Sequence, residues 1–294
     1  METKNYPFSK ILGWSNSRYD VFSLCRRQYY YHYYYRYNEE IDQQRLSQLR
    51  SLTSIPLQIG ETTHSCISTI LRRLKRDPDT PIDRTRLSEY VDREIEDGPP
   101  DSRFSEVYYE KLESVDRREI AKEVGAAIEA LLNSDRFRWI IEIAKTESED
   151  WLIEPEGYGE TRIDGLKAYC KVDFLFPVGE EMHIIDWKTG KERPEKHRIQ
   201  IRAYAAWAAN AYDKTLSDIR PIIAYLLPEY HETTSELNEF DMEQFYHMVR
   251  VQTNEMYSFC ANIEENIPLQ KEAFPPTQVP SICSYCNYRE LCNA

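Results

Sequence analysis

The run Val172-Asp173-Phe174-Leu175, followed by His183-Ile184-Ile185-Asp186-Trp187-Lys188-Thr189-Gly190 and then by Gln200-Ile201-Arg202-Ala203-Tyr204, decides how the chain is read. Asp173 and Asp186 each lie in or at the end of a short apolar run, where an unpaired carboxylate would carry a heavy desolvation cost. A positive partner is therefore expected. Two carboxylates facing each other across paired strands make a hard oxygen site for Mg²⁺ or Mn²⁺. Lys188 follows Asp186 by two, so the period of a strand puts both on the same side. Gln200 and Tyr204 stand four apart, share one helical face and can reach one site together.

An Asp and a Lys on a strand are most often a solvated pair, so a bare DxK carries little; four features in order carry much more. The order Asp173, Asp186-Trp187-Lys188 and Gln200-x-x-x-Tyr204 resembles the PD-(D/E)XK nuclease superfamily, specifically its RecB-type branch, in which D…DxK strands precede a helix carrying QxxxY. The resemblance implies an α/β fold: a restriction-endonuclease-like mixed β-sheet core flanked by helices, with a helical N-terminal cap and a C-terminal cysteine cluster. It also implies roles. Asp173, Asp186 and the Trp187 carbonyl would hold one or two cations. Lys188 would orient the attacking water or stabilise the transition state, and Gln200 and Tyr204 would keep lysine, water or phosphate in register.

Upstream, Pro56 and Gly60 mark a boundary, and Cys66-Ile67-x-x-Ile70-Leu71-x-x-Leu74 has helical apolar spacing. His64 falls in the first turns of that helix. A lone histidine is more often a satisfied structural residue than a ligand. RecB-like nucleases, however, carry GxxxH before the core, and Gly60-x-x-x-His64 is similar to it, which implies that His64 joins the metal site. The resemblance further implies an acidic residue near the first strand, for which Glu147, Glu149 and Glu154 all qualify.

Cysteines supply a second pattern. Cys283-x2-Cys286-x5-Cys292 lies near one end of the sequence and Cys25 near the other. Such a four-thiolate set suits zinc or iron-sulfur, and spacing alone does not choose. Iron-sulfur RecB-like nucleases, including CRISPR-associated exonucleases and the AddB nuclease domain, have one cysteine before the core and three after it. The resemblance therefore implies a 4Fe-4S cluster on Cys25, Cys283, Cys286 and Cys292, with zinc as the alternative. Cys66, Cys170 and Cys260 read as core thiols. An odd total of seven cysteines and a polar stretch from Met1 to Lys10 argue against a disulfide framework and a secretory signal. With no run of 18 apolar residues, the expectation is no membrane span and a soluble, cytoplasmic protein whose thiols stay reduced.

The resemblance implies that the 294 residues divide into a helical segment 1–55 with the first cluster cysteine, a helical cap 56–145 with the GxxxH, a nuclease core 146–230, and a C-terminal helix and cysteine cluster 231–294. Pro78, Pro81 and Gly98-Pro99-Pro100 break the cap, within which 115–133 has the periodicity of a helix. Strands are expected at 150–153, 163–176, 183–187 and 222–227, helices at 199–211 and 242–263, and a loop at 268–280. Tyrosine is abundant, 22 in all, and concentrated in Tyr29 to Tyr37. Its rings cannot all share one helical face, so some must be core and some must line a surface, where they could stack on unpaired bases.

A net charge of −13 excludes a broad grip on duplex phosphates. Local excess is expected from Lys188 to Arg202, and again at Arg72-Arg73-Leu74-Lys75-Arg76; a narrow basic path on an acidic body favours threading one strand. The resulting expectation is a metal-dependent DNA exonuclease preferring single strands or frayed ends, in DNA repair, recombination or CRISPR adaptation. The alternative is an iron-sulfur, nucleic-acid-binding subunit with a dormant site, partnered by a helicase or CRISPR integrase. A zinc-stabilised interaction protein with a coincidental DxK stands third.

Overall fold

Polar residues at the expected positions start most of the helices. In the computed structural model, which describes residue 4 and residues 6–38, 40–155, 159–235 and 237–292, the first eight are α1 (Asn16–Leu24), α2 (Arg26–Tyr33), α3 (Gln43–Arg50), α4 (Ile55–Arg76), α5 (Arg84–Glu96), α6 (Ser105–Tyr108), α7 (Arg117–Leu132) and α8 (Asp135–Glu147). Ser15, Asp42, Ser54, Asp83, Asp116 and Ser134 each accept a backbone N–H from the first turn of the helix that follows, satisfying donors that no intrahelical carbonyl reaches. Strands β1 (Leu152–Ile153), β2 (Glu160–Ile163), β3 (Leu166–Tyr169), β4 (Phe174–Val178) and β5 (Glu181–Lys188) come next. Helix α9 (Pro194–Tyr212) then leads to β6 (Ile219–Tyr225) and β7 (His231–Thr234). Helix α10 (Glu239–Tyr257), β8 (Cys260–Asn262), β9 (Ile267–Pro268) and α11 (Pro280–Cys283) complete the order.

Burial of every side chain from Met182 to Trp187 requires β5 to be covered on both faces. It is the middle strand of a five-stranded mixed sheet ordered β1-β4-β5-β6-β7. β4 and β5 are antiparallel, β5 and β6 are parallel across the α9 crossover, and β7 returns antiparallel. Strand alternation then creates two cores. Met182 and Ile184 point with Ile219, Ile223 and Tyr225 toward α9, α10 and the N-terminal aromatic residues. Ile185 and Trp187 point with Phe174, Phe176, Ile222 and Ala224 toward α4, α7 and α8. The fold is therefore the expected α/β class, a mixed sheet flanked by helices. No helix among the described residues is long and apolar enough to cross a membrane.

Four local expectations are corrected. The stretch 163–176 is not one strand: Asp164 and Gly165, at φ of 51° and 76°, turn the chain so that β2 and β3 form a separate hairpin, the turn chemistry that Asp-Gly provides. Gly60 does not open its helix; α4 begins at Ile55 with Pro56 in the first turn, where a missing N–H costs nothing. The helix expected to reach 263 stops at Tyr257, and Cys260–Asn262 pairs with Ile267–Pro268 instead. At the start of the sheet, only Leu152 and Ile153 of 150–153 are strand.

Candidate active site

The register Phe174↔Ile185, carried one residue further, sets Asp173 opposite Asp186 at the end of the central strands. Asp173 Oδ2 accepts the backbone N–H of Trp187 at 2.9 Å. Asp186 and Lys188 share the β5 face that looks at α9, and Lys188 Nζ lies 2.5 Å from Asp186 Oδ2. From α9, Gln200 Nε2 donates to Asp186 Oδ1 at 2.8 Å and to the Tyr204 hydroxyl at 2.6 Å, while the Tyr204 hydroxyl donates to Asp186 Oδ1. All five sequence-selected residues of this constellation thus meet at one end of β5.

His64 arrives from α4. Its Nε2 lies 2.9 Å from the Trp187 carbonyl and its Nδ1 3.3 Å from Asp173 Oδ1. Both ring nitrogens face acceptors, an arrangement that calls for the doubly protonated ring. Burial alone would pull the imidazole down, but the Asp173 carboxylate outweighs it and raises the pKa to about 9. In return, Asp173, which burial would raise, is held below the usual carboxylate range by the His64 ring. Asp186 goes the other way, pushed up by burial and by Asp173 across the strands. Two facing carboxylates with opposite shifts mark a place where negative charge has been concentrated.

Of the three acidic residues considered near the first strand, Glu154 is the one at the site. Among the described residues, the ligand atoms of His64, Glu154 and Asp173 all lie within 4.8 Å of one another. Glu154 adopts φ of 39°, uncommon for a residue with a side chain, and its N–H donates to the Asp173 carbonyl at 2.8 Å. Exposed Glu149 offers its carbonyl to Lys75. The Glu147 side chain lies outside the described residues.

Sequence reasoning missed the far wall of the site. A cavity of about 450 Å³ is lined by Lys188, Gln200 and Tyr204 and also by Ser15, Asn16 and Ser17 of the α1 start. The expected basic run, by contrast, is largely neutralised: Lys196 pairs with Asp20, Arg198 with Glu195 and Arg202 with Asp241. In the second basic cluster, Arg73 and Lys75 donate to the carbonyls of Thr80, Pro81, Glu149 and Trp151, pinning loops to the end of α4.

At the other side of the N-terminal helices, Cys25, Cys283, Cys286 and Cys292 line one cavity of about 300 Å³. Cys25 caps α2, its sulfur accepting the N–H groups of Gln28 and Thr277, both at 3.4 Å; Cys286 Sγ accepts from Tyr288 N at 3.4 Å. Burial pushes the Cys286 thiol up to about 11 and raises Cys292 as well. Thiols raised in this way stay protonated in neutral water, and a metal that bound them would displace those protons into solvent.

Two solved structures match the chain at low identity. One, described as a "Putative exonuclease" from Eubacterium rectale, is 15% identical over 88% of this chain and 89% of that one, with a TM-score of 0.42. The other, SSO0001, is 14% identical over 78% of this chain and 96% of that one, with a TM-score of 0.28. No curated protein matches. A profile of the PD-(D/E)XK nuclease superfamily matches residues 13–293, nearly the whole length, and the chain belongs to that superfamily.

Proposed function

We propose that this nuclease is a DNA exonuclease that uses Mg²⁺ or Mn²⁺ and attacks single strands or frayed ends. The observation that carries the reading is the convergence of His64, Glu154 and Asp173 within 4.8 Å beside the Lys188–Asp186 pair. Two carboxylates, an imidazole and the Trp187 carbonyl form an oxygen-rich donor set that fits a hard divalent ion, with Asp186 completing it. Bound there, the ion supplies positive charge against the phosphoryl oxygens and acidifies water. The chain's own groups do the rest. Lys188 stabilises charge that develops on the phosphate in the transition state. Gln200 and Tyr204 fix Asp186 by donating to Oδ1, which leaves Oδ2, beside the Lys188 ammonium, as the oxygen to complete the donor set.

A 4Fe-4S cluster on the four cysteines belongs to the same proposal. The four thiols line one cavity, as a four-thiolate centre requires, and the choice of iron-sulfur over zinc rests on the resemblance to iron-sulfur RecB-like nucleases. The roles in repair, recombination or CRISPR adaptation, and a helicase or integrase partner, rest on the sequence resemblance alone.

The test uses anaerobically purified protein, end-labelled single- and double-stranded DNA, and Mn²⁺ or EDTA. Cleavage should require the metal, favour the single strand, and fall at least about a hundredfold in Lys188→Ala. Undiminished cleavage by that variant would sink the assignment.

A further inference from the structure

We propose that an unpaired DNA strand reaches the catalytic end of β5 along a basic, tyrosine-lined track that passes over the first turn of α1. This deepens the nuclease reading and rests on it. Two cavities define the track. The one at Lys188 is bounded by Ser15, Asn16 and Ser17. A second, of about 720 Å³, is walled by Arg18, Arg36 and Arg50 with Tyr33, Tyr35 and Tyr37. Tyr169 lines both, and Arg18 directly follows Ser17, so one helical turn and one ring stand between them.

Charge favours a polyanion here although the whole chain is at −13. Lys196 pairs with Asp20, Lys10 with Glu265, and Lys167 with Glu160. Among the described residues, Arg18, Arg36, Arg50 and Lys171 line these walls without a carboxylate partner. The arginines lie over tyrosine rings: Arg18 Cζ is 4.6 Å from the centre of Tyr33, and those of Arg50 and Arg36 are 5.2 and 5.5 Å from that of Tyr35. Guanidinium planes and tyrosine faces within a cavity offer stacking platforms and phosphate partners together. A duplex keeps its base faces stacked against each other and cannot use them. The occupant that fits is therefore a single strand.

Binding of labelled oligothymidylate of about 12 nucleotides, followed by fluorescence anisotropy in EDTA, reads the track without cleavage. Arg36→Ala/Arg50→Ala removes two exposed side chains. Its Kd should rise about tenfold or more, and the slope of log Kd against log salt should flatten by about 1.4. Arg36→Lys/Arg50→Lys should keep the slope and still lose affinity, because an ammonium does not stack as a guanidinium does. A control of equal charge on other helices, Arg86→Ala/Arg118→Ala, should leave both values at wild type. Unchanged binding by the alanine pair overturns the track, as does a duplex of the same length bound as tightly as the strand. Because cleavage is assayed separately, wild type that cuts no DNA with either metal marks failure of the nuclease reading instead.

Discussion

A proton and a metal ion compete for His64. The ring is held between the Trp187 carbonyl and Asp173 with its pKa at about 9, and it must shed a proton before a nitrogen can ligate a cation. Apparent Mn²⁺ affinity should therefore rise about tenfold per pH unit from about pH 7 and level off near pH 9, with proton release visible by calorimetry in buffers of different ionisation enthalpy. A flat profile removes His64 from the ligand set. The sign is opposite for the metal-free fold. A histidine raised from 6.5 to about 9 contributes stability that is complete below the lower value and lost as pH climbs through the upper one. At this scale the sequence was informative wherever period and spacing decide direction: two along a strand for Asp186 and Lys188, four along a helix for Gln200 and Tyr204. Glu154 was not separable from Glu149, because a positive φ and a bond to the Asp173 backbone, rather than spacing, bring it to the site.

Elements aim these residues, and the hairpin β2–β3 is the one whose integrity is easiest to test. Gly159 sits at φ of 56°, and a Cβ there would lie 2.0 Å from the Cys170 carbonyl oxygen. Neither conformation nor space admits a side chain. Gly159→Ala should cost about 2–4 kcal/mol in chemical denaturation and disturb the Cys170–Asp173 segment that feeds the site. A change under half a kilocalorie would show that this end of the hairpin is loosely held. The central strands were legible because β5 is apolar on both faces. The hairpin was not, since apolar residues run on either side of Asp164-Gly165, and the expectation followed the apolar run past the turn signal. Helix α10 was overextended for a related reason: local pattern does not reveal that Cys260 has a strand partner at Pro268.

For the whole molecule, the cysteine cavity joins segments that are distant in sequence around one sheet. Iron measured per chain should fall in Cys25→Ala, and the thermal midpoint should fall by several degrees, an amount corresponding to about 1–2 kcal/mol for a chain of this size. Because that change also removes the cap of α2, Cys292→Ala, at an exposed position, provides the cleaner comparison. If both variants keep wild-type iron and midpoint, the cavity holds no cluster. Tyrosine was read correctly as divided labour, with Tyr29, Tyr30, Tyr31 and Tyr34 buried and Tyr37 half-exposed. The placement of the basic path was not legible, because only the folded chain shows which cations have already found carboxylates. The cavity also imposes a schedule. Cys25 leaves the ribosome long before Cys283, Cys286 and Cys292, on the order of ten to fifty seconds at ordinary elongation rates. Throughout that interval Cys25 and the start of α2 stand without the cysteines that complete the cavity. If the proposed cluster forms, it therefore closes only after the sheet and α9, which lie between Cys25 and Cys283 in sequence, have been synthesised.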